Sequence, residues 1–166
     1  MRVRRGEQLR LFVDMDGVLA DFDSGYAAAF GVRPSIHADN VDWELVRTQR
    51  DFYLNLPPMS DFAELWRFIA PLRPVVLTGV PKSVAEASDN KRAWARRWLG
   101  DTEVRACRSS EKYLHAKPGD ILIDDWEKYR HKWEKVGGIW ITHVNAASTI
   151  TQLATCLKRA GIQRIV

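Results

Sequence analysis

Leu9-Arg10-Leu11-Phe12-Val13-Asp14-Met15-Asp16-Gly17-Val18-Leu19-Ala20-Asp21-Phe22 is the stretch on which the fold turns. Leu11 to Val13, flanked by Leu9, form an apolar run without alternation that breaks into carboxylates and then a glycine. Such a run reads as a strand buried on both faces, as in a parallel sheet, stopping at a tight turn. Asp14 and Asp16 then stand at its carboxyl end. Side chains two apart on a strand share a face, and if the turn at Gly17 folds back instead, the two acids still converge. Paired negative charges call for a cation, a shared proton or abundant water, and a hard oxygen-liganded ion such as Mg²⁺ answers that need. Taken alone, Asp-x-Asp-Gly also suits a solvated turn, so the rest of the chain has to decide.

The junction recurs. Pro74-Val75-Val76-Leu77-Thr78-Gly79 is a second apolar run ending in a polar residue and a glycine, and Gly119-Asp120-Ile121-Leu122-Ile123-Asp124-Asp125 ends in two adjacent carboxylates. Glu103 to Cys107 and Ile139-Trp140-Ile141 read as further strands, the latter running out to His143 and Asn145. Helical patterns separate them. Ser60 to Ala70 sets Phe62, Leu65, Trp66 and Ile69 on one face, with Pro71 as its stop. Ser83 and Glu86 read as a capping box for a helix presenting Val84, Ala87, Trp94 and Trp98 and ending at Gly100. Trp126, Tyr129, Trp133 and Val136 follow helical spacing, and Ser148 is the expected cap of a last helix bearing Leu153, Ala154 and Leu157. Strands alternating with helices predict an α/β fold, a parallel sheet with helices on both faces.

Between the first two junctions, a helical stretch through Tyr26 and Phe30 ends at Gly31 and Pro34, and a weaker pattern from Asp39 to Phe52 turns Val41, Leu45 and Val46 inward before Leu56-Pro57-Pro58. A polar, proline-bounded insert directly after a catalytic-looking loop is the expected form of a cap. We therefore read residues 1–166 as a single domain carrying residues 22–57 as a small helical cap.

Composition narrows the partners. The 166 residues carry a net charge of +4 and only two cysteines, Cys107 and Cys156, in no metal-binding pattern. This favours a reducing, cytoplasmic setting and acidic partners, either a phosphorylated small molecule or nucleic acid. No membrane partner and no secretion signal are expected, and the oligomeric state stays open.

Ligands of an open parallel sheet bind beyond the carboxyl ends of its strands. Asp14, Asp16, Thr78, Asp124 and Asp125 all fall at such ends, on three separate strands. So many carboxylates with only a threonine between them repel one another, which predicts a divalent cation and a nearby lysine. Taken in order, Asp14-Met15-Asp16-Gly17-Val18, Thr78, a downstream lysine and Asp124-Asp125 resemble the four motifs of haloacid dehalogenase-like phosphohydrolases, over nearly the whole chain. More narrowly, residues 13–22, Asn55-Leu56-Pro57-Pro58 and Gly119 to Asp125 resemble the 5'(3')-deoxyribonucleotidase branch and related small phage-type phosphatases.

The resemblance implies a three-layer Rossmann-like fold and a Mg²⁺-dependent phosphoric monoester hydrolase of the 5'-nucleotidase kind. Asp14 would be the nucleophile that forms an aspartyl-phosphate, and Asp16 the acid that protonates the leaving alcohol. Mg²⁺ would be held by Asp14, the Asp16 main-chain carbonyl and Asp124, with Asp125 beside them. Thr78 and the Gly79 amide would bind phosphoryl oxygens. The motif lysine is Lys112 in preference to Lys117, with both open. Gly79 departs from the hydroxyl residue those nucleotidases tend to carry. Phe22 would stack a base and Lys82 would line the phosphate entrance, although Phe22 suits a core aromatic equally well and Lys82 a surface lysine. Asp16 points away from haloalkanoate dehalogenases, which lack this acid because a halide leaves without a proton. Phosphomutases keep it and stay open.

The expected substrate is thus a (deoxy)nucleoside monophosphate. The alternatives are a sugar phosphate, a nucleic acid end, or a non-catalytic basic nucleic-acid-binding module. Other signals read as structural. Trp66, Trp94, Trp98, Trp126, Trp133 and Trp140 are expected in the core, with Trp43 alone as a ligand contact. Lys91-Arg92 and Arg96-Arg97 read as the outer face of a helix, Arg108, His115 and His131 as surface residues and Cys107 as buried, while His143 follows a strand and could border the site, which a lone histidine does little to establish.

Overall fold

The computed structural model describes residues 9–34 and 41–161. Strands β1 (Leu11–Val13), β2 (Val75–Gly79), β3 (Val104–Cys107), β4 (Ile121–Asp124) and β5 (Ile139–Thr142) form one all-parallel sheet in the order β3-β2-β1-β4-β5. The chain runs outward from β1 through β2 to β3, then crosses back to lay β4 on the other side of β1. Strand order therefore reverses at β1, and the crevice beyond the carboxyl ends there is where such sheets take ligands.

Alternation along each strand divides the core. Leu11, Val13, Val76, Ile121, Ile123 and Ile141 face one side, against helices α3 (Phe62–Ile69), α4 (Ala87–Leu99) and α6 (Ala146–Arg159). Phe12, Leu77, Leu122 and Trp140 face the other, where Trp133 of the short helix α5 (Arg130–Lys135) covers them. Trp133 meets Phe12 edge to face, with centroids 5.5 Å apart, and its indole N–H donates to the Ile139 carbonyl at 3.1 Å. Both faces carry helices, as the alternation predicts, but the second layer is thin.

Helices α1 (Phe22–Phe30) and α2 (Trp43–Thr48) lie between β1 and β2. Asp21 caps α1 by accepting from the Ser24 N–H, and Gly31 closes it in the left-handed region at φ 76°. The ends of the insert are joined: Asp21 N–H donates to the Pro57 carbonyl and Met59 N–H to the Leu19 carbonyl, at 2.8 and 2.9 Å. Phe22, Tyr26, Phe52 and Tyr53 are buried in the same core as the sheet, so the described residues of the insert pack on the domain core.

Local expectations need correction. The weak pattern from Asp39 becomes a helix only at Trp43, Asp39 and Asn40 lying outside the described residues, and it buries Val46 while leaving Leu45 exposed. Ser83 caps nothing: α4 starts at Ala87 without a side-chain cap. Asn145, not Ser148, caps α6 by accepting from the Ser148 N–H. Trp98 is 40% exposed, whereas Lys91, read as an outer-face residue, is fully buried. Lys91 shares the Ala87 and Trp94 face of α4, and Arg92, Arg96 and Arg97 do face solvent.

Candidate active site

The Asp14 N–H donates to the Ile123 carbonyl at 2.9 Å, so β1 and β4 remain paired up to the point where the chain turns. The buried Met15 then offers its carbonyl to the N–H groups of Val18, Leu19 and Ala20, which winds the loop tightly and fixes Asp16. Gly17 lies at φ 76°, and a Cβ there would fall 2.1 Å from Asp125 Oδ2. Glycine is needed twice over, for the backbone and for the approach of Asp125.

Asp14, Asp124 and Asp125 each present one carboxylate oxygen within 4.8 Å of the others. Lys112 comes up from the 3₁₀ segment Ser109–His115, and its buried ammonium lies 2.9 Å from Asp14 Oδ2 and 2.7 Å from Asp124 Oδ2. Lys117 is exposed, and its main chain donates to Asp120 at the opposite end of β4. Burial raises the Asp124 pKa to about 6, with Lys112 opposing and Asp14 adding to the rise. Burial, then Asp14 and Asp124, push Asp125 to about 8. Burial works against the Lys112 charge, but the Asp124 and Asp14 carboxylates hold it above the ordinary ammonium range.

A second buried lysine serves Asp16. Lys91 Nζ donates to Asp16 Oδ2 at 2.5 Å, to Thr78 Oγ1 at 3.1 Å and to the Gly79 carbonyl at 2.6 Å, and it lies 4.5 Å from the centre of the Tyr53 ring. Burial raises the Asp16 pKa despite Lys91, with Asp14 contributing in the same direction. The sequence held a signal for this residue, a lysine within the helical row Ala87, Lys91, Trp94, but the adjacent arginines masked it.

A cavity of about 380 Å³ opens over these acids, floored by Asp14, Asp16 and Asp125 and walled by Trp43, Tyr53 and Trp126. Gly79 and Ser109 complete one side. Several expected contacts fall elsewhere. Phe22 is 1% exposed and packs behind the wall, its ring 6.1 Å from Trp43 and 6.2 Å from Tyr53. Lys82 is exposed and not on the wall, and Arg108 is exposed in an ion pair with Glu111. Thr78 is fully buried, in contact with Lys91. His143 is buried against Thr149 and does not line the cavity, whereas Trp126, expected in the core, does. Cys107 is half-buried and His115 is partly buried, not superficial. Tyr53 and Ser109 open the short 3₁₀ segments Tyr53–Asn55 and Ser109–His115, too brief for a period to announce them, and Trp126, spaced as the head of a helical row, lies ahead of the 3₁₀ turn Glu127–Tyr129 and turns to the cavity.

No family sequence model and no curated protein sequence matches the chain. Solved structures do match. The chain superposes on the L-2-haloacid dehalogenase from Xanthobacter autotrophicus with a TM-score of 0.51 at 14% identity, over 89% of this chain and 83% of that one. The fold is haloacid dehalogenase-like. The same enzyme with chloropropionic acid covalently bound superposes equally well, with a TM-score of 0.51 at 14% identity over 95% and 85% of the two chains. In this fold the acid cluster sits where the sheet's strand order reverses, and no helix among the described residues is long and apolar enough to cross a membrane.

Proposed function

We propose that the chain is a Mg²⁺-dependent phosphatase of the haloacid dehalogenase-like superfamily, hydrolysing a small phosphomonoester, a nucleoside monophosphate before others, through a phosphorylated Asp14. The observation that carries this reading is the convergence of Asp14, Asp124 and Asp125 with Lys112 between two of them. The donors are hard oxygens, and Asp14 Oδ1 is buried with no hydrogen-bond partner among the described residues, so the group suits a divalent cation. Asp14, Asp124 and Asp125, with the Asp16 carbonyl, would hold Mg²⁺, which when bound neutralises phosphoryl oxygens that otherwise repel a carboxylate.

Asp14 attacks phosphorus while the ester oxygen leaves with the proton of Asp16. Asp16 then takes a proton from the water whose oxygen attacks the same phosphorus, which frees inorganic phosphate and restores the Asp14 carboxylate. Burial keeps the acid form of Asp16 within reach, and Lys91 fixes the orientation of its carboxyl group. Lys112 holds Asp14 in place and supplies positive charge beside it.

The cavity supports a compact neutral leaving group. Its volume suits a small ligand, its walls Trp43 and Trp126 offer flat faces beside the buried Tyr53, and among the described residues no lysine or arginine lines it for a second phosphate. The neighbour with covalently bound chloropropionic acid suggests dehalogenation as a rival, but a halide needs no proton and gives Asp16 no task. A phosphorylated nucleic acid end is the second reading, favoured by Lys128 over Trp126 and by Lys132 over Tyr113 and Tyr129 beside the site.

The test is product release from nucleoside 5'- and 3'-monophosphates, sugar phosphates, end-phosphorylated oligonucleotides and 2-chloropropionate, with Mg²⁺ or chelator, beside Asp14→Asn. Chelator-sensitive release of phosphate from mononucleotides, lost in Asp14→Asn, is the expected result. Turnover of oligonucleotide ends alone moves the substrate, and chloride release or no turnover of any ester overturns the reading.

A further inference from the structure

Position 79 lies beside the acids at the end of β2 and has no side chain. Its backbone does not demand glycine, since its φ lies outside the left-handed region. Space is the reason: a Cβ on Gly79 would stand 2.2 Å from the Ser109 hydroxyl oxygen and 3.4 Å from the Ser109 Cβ. Strand β3 delivers that serine. Cys107 pairs with Gly79 in parallel register, and two residues later the chain turns Ser109 across the end of β2 into the room the glycine leaves.

The hydroxyl stands between two hollows. Ser109 lines the large cavity with Asp14, Asp16 and Asp125, and also a small adjoining one with Asp14, Lys112 and Asp124. It makes no hydrogen bond to any described residue, and among the described residues it is the only aliphatic hydroxyl on the wall of the large cavity. A hydroxyl so placed can donate to an anionic oxygen seated against Asp14, a contact the surrounding carboxylates are unable to make.

We propose that Ser109 binds the substrate's phosphoryl group, supplying from β3 the hydroxyl contact for which Gly79 leaves room. This rests on the phosphatase reading, and Ser109 is a phosphate-binding residue in it, with no part in proton transfer. The glycine and the serine are then one unit, and exchanging them should conserve function where changing either alone does not.

Inorganic phosphate binding in the presence of Mg²⁺ is measured by calorimetry on the full chain, alongside KM and kcat for p-nitrophenyl phosphate. Mg²⁺ binding without phosphate serves as the control. Ser109→Ala should weaken phosphate binding and raise KM by about tenfold or more, with Mg²⁺ affinity and melting temperature unchanged. Gly79→Ser alone should bind phosphate poorly through collision with Ser109, and the double variant Gly79→Ser/Ser109→Gly should return to within a few-fold of wild type. Unchanged phosphate affinity in Ser109→Ala, or a double variant no better than Gly79→Ser, reduces Ser109 to a space filler and overturns the proposal while leaving the phosphatase reading intact. Weakened phosphate binding in Ser109→Ala in a protein that turns over no ester keeps the subsite and removes the catalytic reading. A wild-type chain that neither binds phosphate nor turns over any ester removes both.

Discussion

Lys91 and Lys112 have the same chemistry and different neighbours, and that difference separates the two halves of the proposed reaction. Lys112 bridges Asp14 and Asp124, the residues that would face the phosphoryl group and the metal, whereas Lys91 holds Asp16, the residue that would move the proton. A buried charge stripped of its partner is costly, so Lys91→Met should destabilise the fold by about 3–5 kcal/mol. The cost is carried by ionised Asp16, whose pKa burial already raises. The loss should therefore shrink as pH falls and Asp16 takes up a proton. Urea denaturation of the variant and wild type at acid and alkaline pH checks this, and a loss independent of pH would assign Lys91 a packing role instead. Asp16 itself was legible as one of a pair of acids. Its partner was not, because a lysine in a basic run looks solvated until its row on the helix is followed inward.

At the scale of elements, the β1 turn and helix α5 show how short pieces set the site. Strand β1 has three residues, yet it pairs on both sides and lies at the point where strand order reverses, so whatever follows it enters the crevice. Helix α5 has six residues and carries one face of the sheet almost alone. Its Trp133 buries against Phe12, and the neighbouring Gly138 leaves room for it, since a Cβ at 138 would meet the indole at 2.3 Å. Trp133→Ala should cost about 3–5 kcal/mol, because few neighbours are available to collapse into the void. The fall in urea midpoint at constant slope measures it, and a loss near 1 kcal/mol would mean that Trp140 and Phe12 repack. The strong periods of α3 and α6 made those helices readable, whereas the spacing from Trp126 to Val136 became a helix only over Arg130–Lys135 and the weak pattern from Asp39 to Phe52 only over Trp43–Thr48.

Across the whole molecule, the acids from β1 and β4 make one electrostatic unit. Without a metal, folding raises Asp124 from an ordinary value of 3.8 to about 6 and Asp125 from 3.8 to about 8. Between those values the folded chain holds more protons than the unfolded one. Stability present at acid pH is therefore lost as pH rises from about 4 to about 8. Mg²⁺ would displace the same protons, so its affinity and the melting-temperature increase it brings should grow over that range. Thermal melts with chelator and with Mg²⁺ across the range test this, and an equal increase at both ends would place the ion outside this cluster.

The sequence alone determined the strands, because apolar runs broken by acids are legible without any partner, and it determined the parallel α/β class, because alternation of strands and helices leaves few other solutions. It also named the acids that gather at one edge. Only the tertiary structure decided which lysine meets which acid, that Phe22 packs behind the wall while Tyr53 and Trp126 form it, and that Ser109 fills the space at Gly79. The physical reason is range. Strand and helix patterns are local and repeat along the chain, whereas ion pairs such as Lys91 with Asp16, and the contact of Ser109 with Gly79, join residues far apart in sequence that no period relates.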